Sequence, residues 1–402
     1  MALDQLRDDA QALGADLTRV RHTLHEYPEI GLDLPVTQRI VMDELDDLGL
    51  EVTTGDQLSS VTAVLRGSGS GPAVLLRADM DALPVQEATG LDFASRNDGA
   101  MHACGHDLHT AMLVGAAKLL ARHRDELRGD VVLMFQPGEE GWNGAGLMLD
   151  EGVLEAAGHP VGSAYGMHVQ SSRYPRGSVS TRPDTLLAAS DALFVTVHGV
   201  GGHGSAPHLG ADPVTAAAEM VTALQTMVTR RFDAFDPAVV TVGAFHAGTR
   251  YNIIPDQAVF RATLRTFSAA AREQMREQAP RLCERIGAAY GLDVEAEHHS
   301  EYPATVNEPA HVEFANGVVR DVFGPERSRQ LAHPLAASED FSRVLQAVPG
   351  CYLLLGAHTG DTPDGADNHS PRATFDDSVL PDGALLHAQL AIRALRRDAA
   401  AV

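Results

Sequence analysis

Residues 101–109 read Met-His-Ala-Cys-Gly-His-Asp-Leu-His, one thiol and three imidazoles in nine positions. Cys104 and His106 flank Gly105, and a glycine between two soft donors lets the backbone turn tightly enough for both side chains to face one point. The run passes into Thr-Ala-Met-Leu-Val-Gly-Ala-Ala-Lys-Leu-Leu-Ala, which reads as a helix from about Thr110 to His123. A Cys/His cluster at a helix start is the pattern of a transition-metal site, because the helix N-terminus favours thiolate. The competing reading is a surface loop with incidental histidines, since the chain holds 19 His.

Around this cluster the pattern alternates. Residues 36–48 place apolar side chains at helical spacing and stop at Gly49. Val61–Arg66, Ala73–Ala78 and Asp130–Gln136 read as strands. Strands alternating with helices predict an α/β sheet covered on both faces, in which ligands collect at the carboxyl ends of strands. The length of 402 residues exceeds one ordinary core and predicts two domains. From about residue 187 the order becomes β-α-β-β-α-β: strand Leu193–His198, a helix capped by Asp212-Pro213, strands Val239–Phe245 and Gln257–Thr266, a helix over 269–290 and a strand over 292–298. We therefore expect an α/β protein of two domains. A discontinuous catalytic domain with a central mixed sheet spans 1–186 and 302–402. An inserted α+β domain of split βαβ, ferredoxin-like order spans 187–301. After it come a helix over 308–323, strand Cys351–Gly356 and a helix from about Asp382 to Arg396, with an Ala/Arg-rich frayed tail at the end.

Charge narrows the function. Lys+Arg 31 against Asp+Glu 54 leaves a net −23, which repels nucleic acid and anionic membranes. No apolar run is long enough to span a bilayer, and the acidic start Met-Ala-Leu-Asp-Gln-Leu-Arg-Asp-Asp lacks the regions of a signal peptide. Three scattered cysteines argue against a disulfide framework. A cytoplasmic location is the expectation.

Further donors follow strand-like runs. Val131-Val-Leu-Met-Phe-Gln-Pro-Gly ends in Glu139 and Glu140, and Ala164-Tyr-Gly-Met leads to His168. Asp79 and Asp81 follow Ala73–Leu76, and Asp367-Asn-His369 follows Cys351–Gly356 through a Gly/Asp loop. Each segment alone is weak, but strand end after strand end delivers Asp, Glu, His or Cys. Cys104, His106, Glu140, His168 and His369 make five donors. That is more than one tetrahedral ion with an open position needs, and it suits two ions sharing a bridging ligand. Glu139 is then free for proton transfer.

At this point the chain resembles the M20 metallopeptidase family. The segments that carry the resemblance are His25-Glu-Tyr-Pro-Glu, Arg77-Ala-Asp-Met-Asp-Ala-Leu-Pro, Met101 to His109, Gln136-Pro-Gly-Glu-Glu-Gly, Gly201-Gly-His-Gly-Ser-Ala-Pro-His, Asn252-Ile-Ile-Pro, Ser338-Glu-Asp-Phe and Asn368-His-Ser-Pro. They are most similar to its amidohydrolase branch of hippurate hydrolase, N-acyl-amino-acid aminoacylases and auxin-conjugate hydrolases. The resemblance implies a two-metal catalytic domain and a smaller lid domain that often dimerises, giving a homodimer or higher homo-oligomer. It implies Cys104, His106, Glu140, His168 and His369 as ligands, with Cys104 bridging. It implies Glu139 as general base, with Asp81 and His203 as further catalytic residues and Asn252 and Arg265 around a substrate carboxylate. The metal is zinc or manganese, or else cobalt or nickel; thiolate and imidazole do not choose among them.

The sequence departs from that pattern slightly, with Gly138 before the Glu pair and Gly204-Ser205 after His203, where alanines are common. Trp142, the single Trp, reads either as a lining of an acyl pocket or as a cap on its loop. Gly199-Val-Gly-Gly-His-Gly204 matches G-x-G-x-x-G, but Pro207 intervenes and the next helix starts near Pro213, so a dinucleotide site is not expected. Arg261 and Arg265 share one face of their strand, and a solvated sheet face is the alternative to a substrate contact. His102, His109, His198 and His208 read as structural or supporting.

The expected activity is hydrolysis of N-acyl amino acids to a carboxylic acid and a free amino acid, through a metal-bridged hydroxide with Glu139 as base. The alternatives are a dipeptidase or carboxypeptidase, a deacetylase of an N-acetyl amino-acid intermediate, or metal binding without catalysis.

Overall fold

The computed structural model describes residues 3–69, 71–360 and 365–399; the expected tail from 400 onward lies outside them. The chain forms two compact units. The first comprises Met1–Leu186, Val306–His333 and Arg343–Val402, and the second Leu187–Thr305 and Pro334–Ser342.

The first unit is built on an eight-stranded mixed sheet. Its order is Glu51–Thr54, Val61–Leu65, Val131–Gln136, Ala73–Asp79, Val161–Gln170, Gly350–Gly356, Val179–Thr181 and Ser328–Gln330. The middle four run parallel, with Leu76 opposite Leu133 and Tyr165, and Leu353 opposite Met167. Three of these four are buried at every position, as expected of parallel strands covered on both faces. All four point their carboxyl ends to one rim of the sheet.

Helix His106–Arg122 is apolar almost all round and nearly every residue in it is buried, the mark of a helix inside a core rather than on it. It crosses helix Leu380–Ala399 closely. A Cβ at Gly383 would lie 1.8 Å from Met112 Sδ, so the side chain is absent because another helix occupies its place. The helix at His106 starts four residues earlier than its composition suggests. Gly105 adopts φ 86° just before it, a conformation that L side chains rarely tolerate. The motif is therefore split. Cys104 lies before the helix, while His106 and His109 share the face of its first turn.

In the second unit the antiparallel sheet runs Ala238–Ala247, Gln257–Thr266, Ala189–His198, Asp293–Tyr302. Helices Pro213–Arg231 and Ala269–Ala289 bury Leu193, Val195, Phe260, Leu264, Met220 and Met275 against it in a separate core. Burial alternates along Gln257–Thr266, so the opposite face stays open. Asp212 caps the first helix by accepting from the Val214 amide at 2.9 Å, and Ser268 caps the second from Ala271 at 3.0 Å. A two-stranded ribbon, Gly202–His203 with Ile253–Ile254, stands apart from this sheet.

Candidate metal centre

The rim at the strand ends collects the donors. Strand Ala73–Asp79 delivers Asp79 and then Asp81; Val131–Gln136 leads to Glu139 and Glu140; Val161–Gln170 carries His168. Cys104 and His106 arrive from the turn at Gly105. His369 comes from the segment after Gly350–Gly356 and itself takes φ 70°.

Cys104 Sγ lies 3.3 Å from His168 Nε2 and 3.2 Å from His369 Nε2. Two sets of donor atoms each fall within 4.8 Å of one another, Cys104/His106/His168 and Cys104/Glu140/His369, and Cys104 belongs to both. A third set, His106/Glu139/Glu140, brings the second carboxylate to the same place. The five sequence-predicted ligands and Glu139 thus converge.

The chemistry of these atoms fits an ion. His106 Nδ1 faces the Asp81 carbonyl at 2.9 Å and His168 Nδ1 faces the Val169 carbonyl at 2.7 Å. Each ring therefore holds a proton on Nδ1 and turns Nε2 toward the cluster. His106 Nε2 and Glu140 Oε1 are buried with no hydrogen-bond partner. Glu140 Oε1 is 3.2 Å from His369 Nε2 but poorly aligned with it. Buried orphan acceptors are costly unless something electropositive meets them. A thiolate, imidazoles and a carboxylate suit borderline-soft divalent metals.

Neighbouring imidazoles are pushed in opposite directions. Burial, helped by His109, drives His168 well below the usual histidine range, favouring the neutral ring that a metal needs. At His106 burial acts the same way, but the Asp79 charge and the contacts with Asp81 and Cys104 outweigh it and raise the ring well above the usual histidine range, so a cation at Nε2 would have to displace a proton. His369 is raised to about 10 by Cys104 and Glu140. Glu140 is held low, with burial opposing and His369 and His106 prevailing.

A second layer fixes the first. Asp81 accepts from the Glu139 and Glu140 amides, both at 3.0 Å, and so clamps the dipeptide whose side chains must diverge. His109 donates from Nδ1 to Asp79 and accepts at Nε2 from the Val169 amide at 2.8 Å, so neither nitrogen is left for a metal. Asp79 is fully buried. Burial opposes its charge, but Arg77, His106 and His109 hold it well below the usual carboxylate range. Arg77 in turn donates to Gln136 at 2.8 Å. Beneath the helix start, Asp107 accepts from Arg21 at 2.7 Å and contacts His25 Nδ1 at 2.8 Å. His25 reaches on to Glu87 at 3.4 Å. Glu29, from the same His25–Glu29 segment, accepts from the Val36 and Thr37 amides and caps helix Pro35–Leu45. His102 is buried with both ring nitrogens unpartnered, and burial pushes it down to about 3. The sequence signal for this layer was weak, since Asp79, Arg21 and Asp107 are ordinary charged residues until their burial is known.

His203, Asn252 and Arg265 lie in the second unit. His203 pairs with Ile253, and the Gly204 amide donates to the Asn252 carbonyl at 2.9 Å, so His203 and Asn252 are neighbours on the ribbon. His203 Nδ1 accepts from the Ser205 amide at 3.1 Å and lies 2.8 Å from its hydroxyl. The ring proton is thereby placed on Nε2, where it can be donated. Arg265 sits at the far end of strand Gln257–Thr266, donating to Ser190 Oγ at 2.7 Å and Thr263 Oγ1 at 2.6 Å. Arg261 stacks over Phe194 on the open face. The next α-helix starts only at Pro213, after a single 3-10 turn over Pro207–Leu209, so the glycine-rich turn does not run directly into a helix. Trp142 stays half exposed over Gly31.

Comparison with known proteins agrees with this chemistry. The model described as Peptidase family M20/M25/M40 matches residues 75–393. Thermostable carboxypeptidase 1 of Saccharolobus solfataricus is 37% identical over 97% of this chain and 98% of its own. An IAA-amino acid hydrolase of Arabidopsis thaliana is 38% identical over 94% of this chain and 85% of its own. Among solved structures, a dinuclear metal-binding peptidase of the M20 family from Bacillus subtilis superposes with a TM-score of 0.82 at 32% identity, covering 96% of this chain and 99% of that one.

Proposed function

The chain belongs to peptidase family M20 and is a metal-dependent amidohydrolase, and we propose that it cleaves N-acyl amino acids to a carboxylic acid and a free amino acid. The observation that carries this reading is the pair of donor sets that share Cys104, with Glu139 beside them. Cys104, His106, Glu140, His168 and His369 would hold two divalent ions, zinc or manganese before cobalt or nickel. When bound, these ions supply Lewis-acid polarisation of the amide carbonyl and lower the pKa of water.

The chain's own groups do the rest. Glu139, its side chain buried and its amide held by Asp81, takes the proton of the attacking water and returns it to the leaving nitrogen. Asp81 acts by fixing Glu139 and Glu140 rather than by touching substrate. We assign His203, with its Nε2 proton, to the carbonyl oxygen as negative charge develops there. Arg265 and Asn252 are assigned to the substrate carboxylate, for which a planar guanidinium is suited. We read the second unit as a lid and as the surface of a homodimer or larger homo-oligomer, and the location as cytoplasmic. No described helix is long and apolar enough to cross a membrane.

A second reading, peptide-bond cleavage by a dipeptidase or carboxypeptidase, is favoured by the name of the Saccharolobus relative. The deciding experiment assays metal-loaded protein on N-acetyl, N-benzoyl and long-chain acyl amino acids beside dipeptides. Preference for acyl amino acids, abolished by a chelator and restored by metal, is expected. Turnover that survives chelation overturns the reading, and preference for dipeptides selects the second.

A further inference from the structure

His369 differs from the other ligand candidates. Its side chain is 56% exposed, whereas His106 is fully buried and Cys104 nearly so. Apart from its contacts with Cys104 and Glu140, little packing holds the His369 ring, so its position depends on its backbone. That backbone is unusual, with φ 70° in a non-glycine residue, a region that side chains enter only when their surroundings impose it.

Asn368 supplies the constraint. Its Nδ2 donates to the Cys104 carbonyl at 3.1 Å and to the Val169 carbonyl at 3.0 Å. Its Oδ1 accepts from the Ser171 amide at 2.9 Å and lies 2.9 Å from the Ser171 hydroxyl. Two carbonyls on one side and an N–H on the other fix which end of the amide is nitrogen. Both amide protons of Asn368 and its carbonyl oxygen are thus engaged, with the Ser171 hydroxyl shared between that oxygen and the Ala366 carbonyl at 2.8 Å. The partners belong to the Cys104 turn and to the stretch just after His168, so one side chain spans the segments that carry Cys104, His168 and His369. The His369 amide adds a bond to the Ala103 carbonyl at 2.9 Å.

We propose that Asn368 is a positioning residue for the metal centre, presenting His369 to the Cys104/Glu140 side of the site by tying its left-handed backbone to the segments of the other ligands. The proposal rests on the reading of this cluster as a metal site. An aspartate in place of Asn368 would set a carboxylate oxygen against two carbonyl oxygens, and an alanine would release all three segments. Neither change removes a ligand atom, though each also removes the 3.9 Å contact of Asn368 Nδ2 with Cys104 Sγ.

The test measures zinc and manganese binding to metal-stripped protein by calorimetric titration and by metal content after dialysis, with thermal melting of the metal-free protein alongside. Wild type binding two equivalents establishes the site itself; wild type binding none overturns that reading independently of Asn368. For Asn368→Ala and Asn368→Asp the expected result is a 10- to 100-fold weaker dissociation constant for at least one equivalent, the usual scale for losing an outer partner of a ligand. The metal-free melting temperature should stay near that of wild type. Ser171→Ala, which removes only the hydroxyl, is a milder variant that keeps the idea testable if the others fold poorly, and should weaken binding by a few-fold. Metal constants within two-fold of wild type in all three variants overturn the proposal. So does a loss of metal affinity that only follows a matching loss of apo stability, because Asn368 would then hold the fold rather than the site.

Discussion

The two compact units present their candidate residues in opposite ways. In the first, Cys104, His106 and Glu139 are 6%, 0% and 7% exposed, and Asp81, backed by Asp79, His109 and Arg77, holds the His106 ring and the Glu139 backbone while His106 Nε2 stays open. In the second, His203 and Asn252 stand exposed on a two-stranded ribbon, and His203 is oriented by little more than Ser205, two residues away. Burying donors in low dielectric requires partners for every atom, so a metal centre draws in neighbours from many strands. An exposed hydrogen-bond donor needs only a local turn. The first arrangement is rigid and costly to perturb, while the second can be altered without disturbing the fold.

Four measurements put that contrast at risk. The largest effect belongs to Glu139→Gln, which keeps volume and removes the base. Turnover should fall about 10²- to 10⁴-fold with metal content unchanged, as read by steady-state kinetics and metal analysis; full activity would remove Glu139 from the mechanism. Next, Asp107→Ala removes the buried partner of the Arg21 guanidinium, leaving it beside His25 with only the more exposed Asp377 at 2.9 Å. Urea unfolding should register a loss of about 3–5 kcal/mol, the usual cost of breaking a buried ion pair. A loss below about 1 kcal/mol, no more than an exposed ion pair is worth, would show the first unit to be less rigid than its burial implies. Third, His203→Ala should lower kcat about 10²-fold while melting temperature and metal content stay put. A drop in melting temperature would place His203 in the fold instead.

The smallest effect is a pH dependence at Glu87. Burial opposes its charge, but His25, Thr89 and the Ser95 amide lower it from 4.5 to about 2. A folded-state pKa below the unfolded one stabilises the folded chain fully above the unfolded value, and that stabilisation is lost as pH falls through about 2. The limit is about 3.5 kcal/mol, at roughly 1.4 kcal/mol per pH unit, shared with His25. Wild type should therefore lose more stability between pH 5 and pH 2 than Glu87→Gln, which should be the less stable protein at neutral pH. Parallel acid profiles for the two would refute the coupling.

The strands and helices were legible because their periods are local. The mostly apolar runs at 73–79 and 131–136 and the alternation along Gln257–Thr266 follow from burial on two faces or one. The helix start was misplaced because Gly105 and His106 do not look helical. What begins the helix there is the left-handed turn at Gly105, which no composition rule displays. The donors were legible as a list, since few other roles call for Cys, His and paired Glu at strand ends. Their partners were not. His109 and His106 lie in the same motif, yet one is saturated by Asp79 and Val169 while the other keeps Nε2 open. That difference depends on which strand end each ring faces.

The class of sheet, the donor types and the family are already written in the amino-acid order. They follow from local periodicity, side-chain chemistry and the succession of motifs along the chain. Two roles became visible only once the chain was packed. Asp81 grips the Glu139-Glu140 backbone, and Asn368 joins segments far apart in the chain. Such roles come from which strand ends share a rim, and distances between residues remote in sequence are set by packing rather than by composition.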